Sequence, residues 1–288
     1  MGKPAGLDLT TLQALRAPAR DLTLLVDRIT AHLDAHDGYV AFSGGKDSTV
    51  VLDLARRADP NVPVCFFDSG LEFPETLAYI DELTDRWNLN LHVIPTRPTA
   101  LEYLQANGSW THQPPPVDAT AATGSMHQVL ITEPAGQAHH RHGDGELWGI
   151  RAQEARGRRI MLLKALATAI ATDCAGCCQA PAAGRSHTAG QRARHGGALH
   201  RTDRTVAFSP VWDWTAAEIF GYLARHAVPV NPVYTKLRQL GAAPFLQRVS
   251  PIVDANSLGY GRIVWLRHGW PELYENLRLT LPRIAEFR

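Results

Sequence analysis

Apolar residues along the chain fall into two kinds of segment, short continuous runs and longer stretches with helical spacing. A continuous apolar run predicts a strand that is buried on both faces. Such runs lie at Tyr39–Ser43, Val62–Phe67, Leu91–Ile94, Glu146–Gly149 and Thr205–Phe208. Apolar positions three and four residues apart predict helices. These occur over Leu22–His36, Ser48–Arg57, Pro74–Trp87, Arg159–Thr172 and Thr215–Ala227.

The alternation of strand and helix predicts an α/β fold with a doubly wound, mostly parallel five-stranded sheet. The segment Ile263–Arg288 has a helical pattern and predicts a helical C-terminal extension. We therefore expect a nucleotide-binding domain over residues 1–240 and an extension over 241–288 packed on it. Parallel sheets bind ligands at the carboxyl ends of their strands, close to a switch in strand order. The loop after the first strand is accordingly the expected site.

Two segments interrupt the alternation. Gly108–Gly145 contains three consecutive prolines and several glycines, which indicates either a loop that covers the substrate or a poorly ordered insertion. Ala182–Arg204 is rich in glycine, arginine and histidine and only weakly hydrophobic, so we expect it to be mobile.

Composition narrows the class of protein. The chain has 288 residues, of which 45% are hydrophobic and 20% charged, and its formal net charge is +1. This balance is typical of a globular domain and creates no global field toward nucleic acid or membrane. No apolar run approaches the roughly 20 residues of a membrane span. The N-terminus lacks the layout of a signal peptide, so we expect a cytoplasmic protein without a membrane partner.

The segment Phe42–Ser48 follows a predicted strand and precedes a predicted helix. Its two glycines allow a tight turn that exposes successive backbone N–H groups to an anion at the helix N-terminus. Lys46 adds a point charge, and Asp47 is suited to hold Mg2+ against phosphates. The spacing is not that of a Walker loop. The segment predicts a phosphate-binding loop made of Ser43, Gly44, Gly45, Lys46, Asp47 and Ser48.

This loop resembles the pyrophosphate loop of the N-type ATP pyrophosphatases, and within them the phosphoadenosine phosphosulfate (PAPS) reductase family. Three further segments resemble that family in the same order: Phe67–Thr76, Gly149–Glu154, and Ser209–Thr215 with Val228–Tyr234. The resemblance implies an adenine nucleotide α-hydrolase-like fold, with ATP and Mg2+ as ligands. It implies that Ser43–Ser48 hold the β,γ-pyrophosphate with Mg2+, and that Asp68, Ser69 and Gly70 lie near the adenosine.

Arg151 occupies the arginine position of the third matching segment. The resemblance implies that Arg151 meets a phosphate or the acceptor, and a forked, permanently charged guanidinium suits phosphate oxygens. The alternative is a structural ion pair with Glu154 or Asp68. For Asp68 the alternative is a helix or turn cap. Trp212 and Trp214 are interpreted as core residues in preference to base-stacking residues.

Three of the four cysteines crowd into one segment, at Cys174, Cys177 and Cys178. A sulfonucleotide reductase of the resembled family attacks the sulfate with a cysteine near its C-terminus, whereas no cysteine follows Cys178 here. Four ligands are required for an iron–sulfur cluster, and the remaining Cys65 lies in a predicted buried strand. The three clustered cysteines are therefore assigned a catalytic role in sulfur relay, with a metal site or a structural site as alternatives.

Within the resembled family, length and layout are most similar to the small ATP pyrophosphatase of DNA phosphorothioation systems, the SspD type, related to the DndC type. That resemblance implies cleavage of ATP to AMP and pyrophosphate, with Lys46, Asp47 and Arg151 as catalytic residues. It also implies a cysteine desulfurase as sulfur donor and DNA as the eventual acceptor. Alternatives are a sulfonucleotide reductase, a tRNA-thiolation enzyme and a non-catalytic nucleotide-binding subunit, and a homo-oligomer is left open.

The segment 185–204 is the candidate surface for DNA. It carries five arginines and a single acid, Asp203, and has no aromatic residue for base stacking. The alternative is a solvated loop. The arginines are Arg185, Arg192, Arg194, Arg201 and Arg204.

Overall fold

The computed structural model describes residues 9–106, 125–173, 188–250 and 262–286. Six strands form one sheet: β1 (Tyr39–Ala41), β2 (Pro63–Asp68), β3 (Asn90–Pro95), β4 (Gly145–Trp148), β5 (Ala198–His200) and β6 (Val206–Phe208). The N-terminal helices are α1 (Leu9–Gln13), α2 (Thr23–His36), α3 (Lys46–Ala58), α4 (Pro74–Trp87), α5 (Ala100–Ala106) and α6 (Glu133–His142). The remaining helices are α7 (Arg156–Asp173), α8 (Ala189–His195), α9 (Ala216–Arg225), α10 (Pro232–Gln239), α11 (Arg262–Gly269) and α12 (Pro271–Thr280).

The strand order is β3-β2-β1-β4-β6-β5, with β5 antiparallel to β6 and every other pair parallel. The five predicted strands are thus present and parallel, which confirms the α/β fold class. Strand β1 lies in the interior of the sheet, where Val40 pairs with Val64 on one side and Leu147 on the other. Burial on both faces explains why its residues form a continuous apolar run.

The additional strand, β5, lies in the segment Ala182–Arg204, which we expected to be mobile. Within the described part of that segment, α8 begins with a capping box formed by Thr188 and Gln191, and β5 follows it. Arg28 on α2 donates hydrogen bonds to the carbonyls of Ala193 and Gly196. These contacts come from elsewhere in the chain, so the local composition did not reveal them.

The interruption at Gly108–Gly145 is also partly regular. A π-helical turn, Gln128–Thr132, leads directly into α6, which covers one face of the sheet. The prolines at 114–116 lie outside the described residues. A covering loop or a poorly ordered insertion is therefore the wrong description for residues 128–142, because their apolar side packs on the core through Val129, Leu130 and Ala138.

The C-terminal helices pack against the rest of the chain through a hydrophobic cluster that crosses residue 240. Leu266, Trp270 and Tyr274 share this cluster with Phe73 and Val233. The Trp270 indole stacks on Phe73 with ring centroids 4.0 Å apart and donates to Glu75 at 2.7 Å. The extension thus contacts α4 close to the phosphate loop. In the described ranges, none of the helices has the length and apolar character needed to cross a membrane.

Candidate functional site

The phosphate loop lies at the switch point of the sheet. From β1 the chain adds β2 and β3 on one side, and it then returns to place β4 on the other side of β1. The loop after β1 and the segment after β4 therefore flank the crevice where open α/β sheets bind ligands. Gly149 shows how closely they approach, since a Cβ added there would lie 2.5 Å from the backbone nitrogen of Ser48.

The loop has the geometry of an anion cradle. Gly44 has a φ of +68°, which favours glycine, and Gly45 caps helix α3. The first intrahelical bond of α3 runs from the Thr49 amide to the Gly45 carbonyl at 2.9 Å. The amides just before Thr49 therefore lack intrahelical acceptors and lie at the positive end of the helix dipole. Ser48 braces the turn by donating to the Gly45 carbonyl at 3.0 Å.

Two residues of the Val228–Tyr234 segment fasten the loop from outside. The Asn231 side-chain amide donates to the Gly44 carbonyl and to the Thr76 hydroxyl, both at 3.1 Å. Its Oδ1 accepts from the Val233 amide and caps α10. The Lys46 amide donates to the Tyr234 hydroxyl at 3.1 Å. Burial raises the pKa of Tyr234, so this hydroxyl stays neutral and acts as a fixed acceptor.

Asp47 lies between two cations in the first turn of α3. Its Oδ2 accepts from Lys46 Nζ at 2.7 Å, and its Oδ1 accepts from Arg151 Nε at 2.6 Å. Arg151 also donates to the Trp214 carbonyl at 3.2 Å, and its side chain is only 6% exposed. Both tryptophans, Trp212 and Trp214, are buried, as expected of core residues.

Arg151 thus pairs mainly with Asp47, which we did not consider, and more distantly with Glu154, which we did. Its guanidinium bonds Asp47 and lies 4.0 Å from Glu154, while no ion pair with Asp68 is present in the described residues. Because its Nε and one Nη are engaged inward, Arg151 orients Asp47 and, through it, Lys46. The predicted direct contact of Arg151 with a phosphate stays a prediction.

Glu154 forms a second junction beside the first. It accepts from the Arg151 amide at 2.9 Å, and it pairs with Arg158 at 2.5 Å and with Arg248 at 3.5 Å. Burial alone would raise the pKa of Glu154, but Arg158, the Arg151 amide and guanidinium, and Lys46 together hold that pKa below its ordinary value. Glu154 is therefore ionised at neutral pH.

The donor set does not fit a Mg2+ ion in this conformation. Mg2+ prefers carboxylate and phosphate oxygens in octahedral geometry, but both Asp47 oxygens already accept hydrogen bonds from cations. Across the described ranges, no group of three or more acidic, histidine or cysteine residues is placed to hold a metal. Asp47 as a ligand of Mg2+ therefore stays a prediction.

Asp68, Ser69 and Gly70 form a tight turn at the carboxyl end of β2. Asp68 Oδ1 accepts from the Gly70 amide at 2.9 Å, which is the turn-capping arrangement considered from the sequence. The Ser69 hydroxyl donates to Glu72 at 2.6 Å. Burial raises the pKa of Glu72. The turn lies at the same edge of the sheet as the phosphate loop because β1 and β2 are parallel, and its contact with adenosine stays a prediction.

The cysteine segment with Cys174, Cys177 and Cys178 lies outside the described residues, directly after the end of α7. Cys65 is buried in β2, and burial raises the pKa of its thiol to about 12. A thiol with this pKa is almost fully protonated at neutral pH and is a poor nucleophile. Cys65 is thus a core residue, as its strand position suggested.

The basic segment 185–204 is partly neutralised in the structure. Arg192 pairs with Asp213 at 3.3 Å and lies over the Trp212 ring, and Arg201 pairs with the buried Glu146. Arg194 is exposed, with 73% of its side chain accessible, and Arg204 is exposed as well. Arg185 lies outside the described residues. DNA contact by this segment stays a prediction, with fewer free charges than the sequence suggested.

Sequence reasoning missed the roles of several site residues. Asn231 and Tyr234 were recognised in a motif, but without a function. Their spacing of three, at the start of a helix, was a signal that both side chains point the same way. Arg248 carried no local signal, because its position near Glu154 depends on the packing of residues 244–250 against the loop.

Comparisons with known proteins place the chain in a family. Residues 38–248 match the phosphoadenosine phosphosulfate reductase domain family. A phosphoadenosine 5'-phosphosulfate reductase from Alkalilimnicola ehrlichii is 28% identical over 197 residues, which cover 68% of this chain and 64% of that protein. An adenosine 5'-phosphosulfate reductase from Pseudomonas aeruginosa is 26% identical over 74% of this chain and 67% of that protein. The chain thus spans just under two thirds of the first relative.

Among solved structures, the similar chains have lower sequence identity. A PAPS reductase from Candida auris is 15% identical with a TM-score of 0.45, over 83% of this chain and 94% of that chain. An NH3-dependent NAD synthetase from Campylobacter jejuni is 16% identical with a TM-score of 0.41, over 93% and 96%. The family match covers the loop and every residue that fastens it, from before Ser43 to Arg248. The chain belongs to the phosphoadenosine phosphosulfate reductase domain family.

Proposed function

We propose that this chain binds a sulfonucleotide, an adenosine 5'-phosphosulfate with or without a 3'-phosphate, and takes part in its reduction. The observation that carries the proposal is the family match over residues 38–248, which includes the whole phosphate site. The two relatives named above, at 28% and 26% identity, are both sulfonucleotide reductases by name. This is one of the alternatives derived from the sequence, and it takes precedence over ATP cleavage for DNA phosphorothioation.

The charge of the site supports an anionic ligand. Within the described residues, Lys46, Arg151, Arg158 and Arg248 supply four positive charges around the two carboxylates of Asp47 and Glu154. The N-terminus of α3 adds a partial positive charge. The resulting excess of positive charge favours a phosphosulfate, whose negatively charged oxygens lie at the loop amides.

The chemistry requires two thiols and no change in the phosphate. A thiolate attacks the sulfate sulfur, an S–S bond forms, and the S–O bond to the phosphate breaks with its electron pair on the departing nucleotide. A second thiolate then attacks the sulfur of the first thiol. This gives a disulfide between the two thiols and releases sulfite. In this chain the candidates are Cys174, Cys177 and Cys178, and a partner protein's thiols are the alternative source. Cys65 is excluded because it is buried and protonated.

The test is to incubate the purified chain with 35S-labelled adenosine 5'-phosphosulfate or its 3'-phosphorylated form, with a dithiol reductant present. We expect labelled sulfite, which is lost in Lys46→Ala. The triple variant C174S/C177S/C178S distinguishes the chain's own thiols from external ones, because it stops turnover only in the first case. A wild-type chain that binds neither sulfonucleotide would contradict the proposal.

A parallel incubation with α-labelled ATP and Mg2+ tests the ATP-cleaving alternative. Release of AMP and pyrophosphate, without sulfite from either sulfonucleotide, would return the assignment to ATP pyrophosphatase. In that case cysteine desulfurase as sulfur donor and DNA as acceptor become the next partners to assay. Binding of ATP without any turnover would favour a non-catalytic nucleotide-binding subunit.

A further inference from the structure

The C-terminal helices complete a second hydrophobic core that reaches beyond the family match. The match ends at residue 248, whereas α11 and α12 lie at residues 262–280. The members of this core from the two helices are Leu266, Trp270, Tyr274 and Leu277. They pack with apolar residues from the turn after β2, from α5 and from α10. The two helices therefore lie outside the matched domain and yet share a core with elements next to the phosphate loop.

Trp270 is the residue through which these helices bond α4. It is buried, its ring stacks on Phe73, and its Nε1–H donates to Glu75 Oε2 at 2.7 Å. The other carboxylate oxygen of Glu75 accepts from Lys236 Nζ at 2.6 Å, and this ammonium lies 4.3 Å from the centroid of the Trp270 ring. Burial alone would raise the pKa of Glu75, but hydrogen bonds from Lys236 and Trp270 hold that pKa below its ordinary value. A carboxylate, an ammonium and an indole thus form a closed triangle.

Glu75 precedes a residue that packs against the phosphate loop. The next residue, Thr76, is fully buried, and its hydroxyl accepts from the Asn231 side-chain amide at 3.1 Å. The same amide donates to the Gly44 carbonyl, and a Cβ added to Gly44 would lie 3.1 Å from the Thr76 methyl group. Because a packed interior has little free space, a displacement of the first turn of α4 would be felt at the loop.

Lys236 makes the matching connection on α10. It lies two positions after Tyr234, whose hydroxyl accepts from the Lys46 amide at 3.1 Å. Its ion pair with Glu75 joins α10 to α4 across 161 positions of sequence. A partly exposed ion pair contributes little by itself, but the Trp270 ring and its N–H restrict both charged partners to one arrangement. The triangle therefore sets the spacing of the two helices whose residues fasten the loop.

We propose that Trp270 is a positioning residue for the phosphate loop, and that docking of α11 and α12 and binding of the ligand's anionic group stabilise each other. The inference rests on the proposed function only in taking this loop as the site of that anionic group. Trp270 acts through Glu75 and Lys236 and not by contact with the ligand. Such coupling is reciprocal, because the free energy that docking adds to ligand binding is returned by the ligand to docking.

The first test measures hydrogen exchange at the loop in the absence of ligand. Trp270→Phe keeps a ring beside Phe73 and Lys236 but removes the N–H that reaches Glu75. We expect faster exchange of the backbone amides of residues 43–48, because the elements that fasten the loop are held less firmly. The matched control is Trp265→Phe, the same substitution on α11 at a partly buried position of the same core, which is not a partner of Glu75 in the described residues. It should leave exchange at residues 43–48 unchanged.

The second test uses adenosine 5'-phosphosulfate as the probe. By titration calorimetry we expect Trp270→Phe to bind it about fivefold or more weakly than the wild type, and Trp265→Phe to bind it normally. In the wild type, saturating probe should slow amide exchange in α11 and α12. Exchange in α8, which packs on α2 and α7, is the reference for a general effect. This arm needs no variant, so it decides the question even where Trp270→Phe does not fold, as its unfolding midpoint would show.

Equal exchange at residues 43–48 in the wild type and in folded Trp270→Phe would overturn the positioning role. So would a bound probe that leaves exchange in α11 and α12 as fast as in the free protein. A wild-type chain that binds no sulfonucleotide, while its loop exchanges faster in Trp270→Phe, would overturn the proposed function and support the positioning of the loop by Trp270.

Discussion

Arg151 donates its Nε–H to Asp47 at 2.6 Å, across 104 positions of sequence, and this bond joins the segments that follow β1 and β4. Both side chains are almost fully buried, with 6% and 10% exposure. The bond therefore holds the first turn of α3 against the neighbouring strand end at the switch point of the sheet. It also decides where the Lys46 ammonium lies, because Asp47 accepts from Lys46 with its other oxygen.

The Asp47–Arg151 pair should behave as one unit in stability measurements. Removing one member of a buried ion pair leaves an unpaired charge and costs about 3–5 kcal/mol. We expect losses of that size in the free energy of unfolding for Asp47→Asn and for Arg151→Met. The double variant should lose clearly less than their sum. Urea denaturation measures all three, and strictly additive losses would show that the two residues act independently.

Asn231 should be intolerant of a change that alters only its donor group. Asn231→Asp keeps the acceptor that caps α10 but loses the N–H groups that reach the Gly44 carbonyl and the Thr76 hydroxyl. A carboxylate at this buried position would face the Gly44 carbonyl oxygen without a partner. We expect nucleotide binding, measured by calorimetry, to be lost.

Asn90→Asp is the control for that variant, because the exposed Asn90 side chain also donates to a backbone carbonyl, that of Asn61 at 3.4 Å. It should leave binding unchanged. Normal nucleotide affinity in Asn231→Asp would mean that the loop keeps its shape without this residue.

Gly149 should be required because of space. In Gly149→Ala the new methyl group would lie 2.5 Å from the Ser48 nitrogen and 2.7 Å from the Asp47 carbonyl carbon, which are backbone atoms of the loop–helix junction. Such overpacking costs about 1–3 kcal/mol, and we expect weaker nucleotide binding together with a lower unfolding midpoint. Gly157→Ala on α7, where a Cβ meets nothing within 4 Å, should be neutral or slightly stabilising. Equal behaviour of the two variants would contradict the close approach.

His32 should make the protein sensitive to mild acid. Burial lowers the pKa of His32 from 6.5 to about 4, with further lowering by His36, Arg28 and His200. Since the unfolded chain binds this proton below pH 6.5 and the folded chain does not, stability falls as pH drops from 6.5 toward 4. A shift of this size corresponds to about 3 kcal/mol.

The variant His32→Leu should remove most of this fall in stability with pH, because it removes the titrating imidazole. Since the Nε2 of His32 has no hydrogen-bond partner in the described residues, the substitution breaks no hydrogen bond at that atom. Unfolding free energies between pH 7 and pH 4 measure it. The exposed His268, changed to leucine, serves as the reference. A wild-type curve that is flat across this interval would contradict the neutral, buried state of His32.

The main features of the fold were predictable because local patterns encode them. The continuous apolar run at Tyr39–Ala41 predicted a strand, which is present. The helical spacing of apolar residues over Pro74–Trp87 predicted a helix, which begins and ends where the sequence predicted. Strand β5 was not predictable from its own three residues, since it depends on antiparallel pairing with β6 and follows α8, which Arg28 holds from 165 positions away in the sequence. The same distinction applies to the site.

The loop Ser43–Ser48 was predicted from its own composition, because two glycines and a lysine before a helix favour an anion site. Its partners were found only in part: Glu154 was considered beside Arg151, but its pairing with Arg158 and Arg248 depends on how α7 and residues 244–250 pack beside the loop. Sequence spacing can indicate which side chains share a face, but not which cation a given carboxylate selects.

The attachment of Asn231 and Tyr234 to the loop has a consequence for how the protein is made. The residues that shape the turn after β1 are nearly 190 positions downstream of it, so they emerge from the ribosome after all six strands of the sheet. A truncated product ending before Asn231 would contain every residue of the loop and still lack the hydrogen bonds from Asn231 and Tyr234. Under the proposed function, affinity for nucleotide therefore reports that synthesis has passed Asn231 and Tyr234 and that α10 has docked.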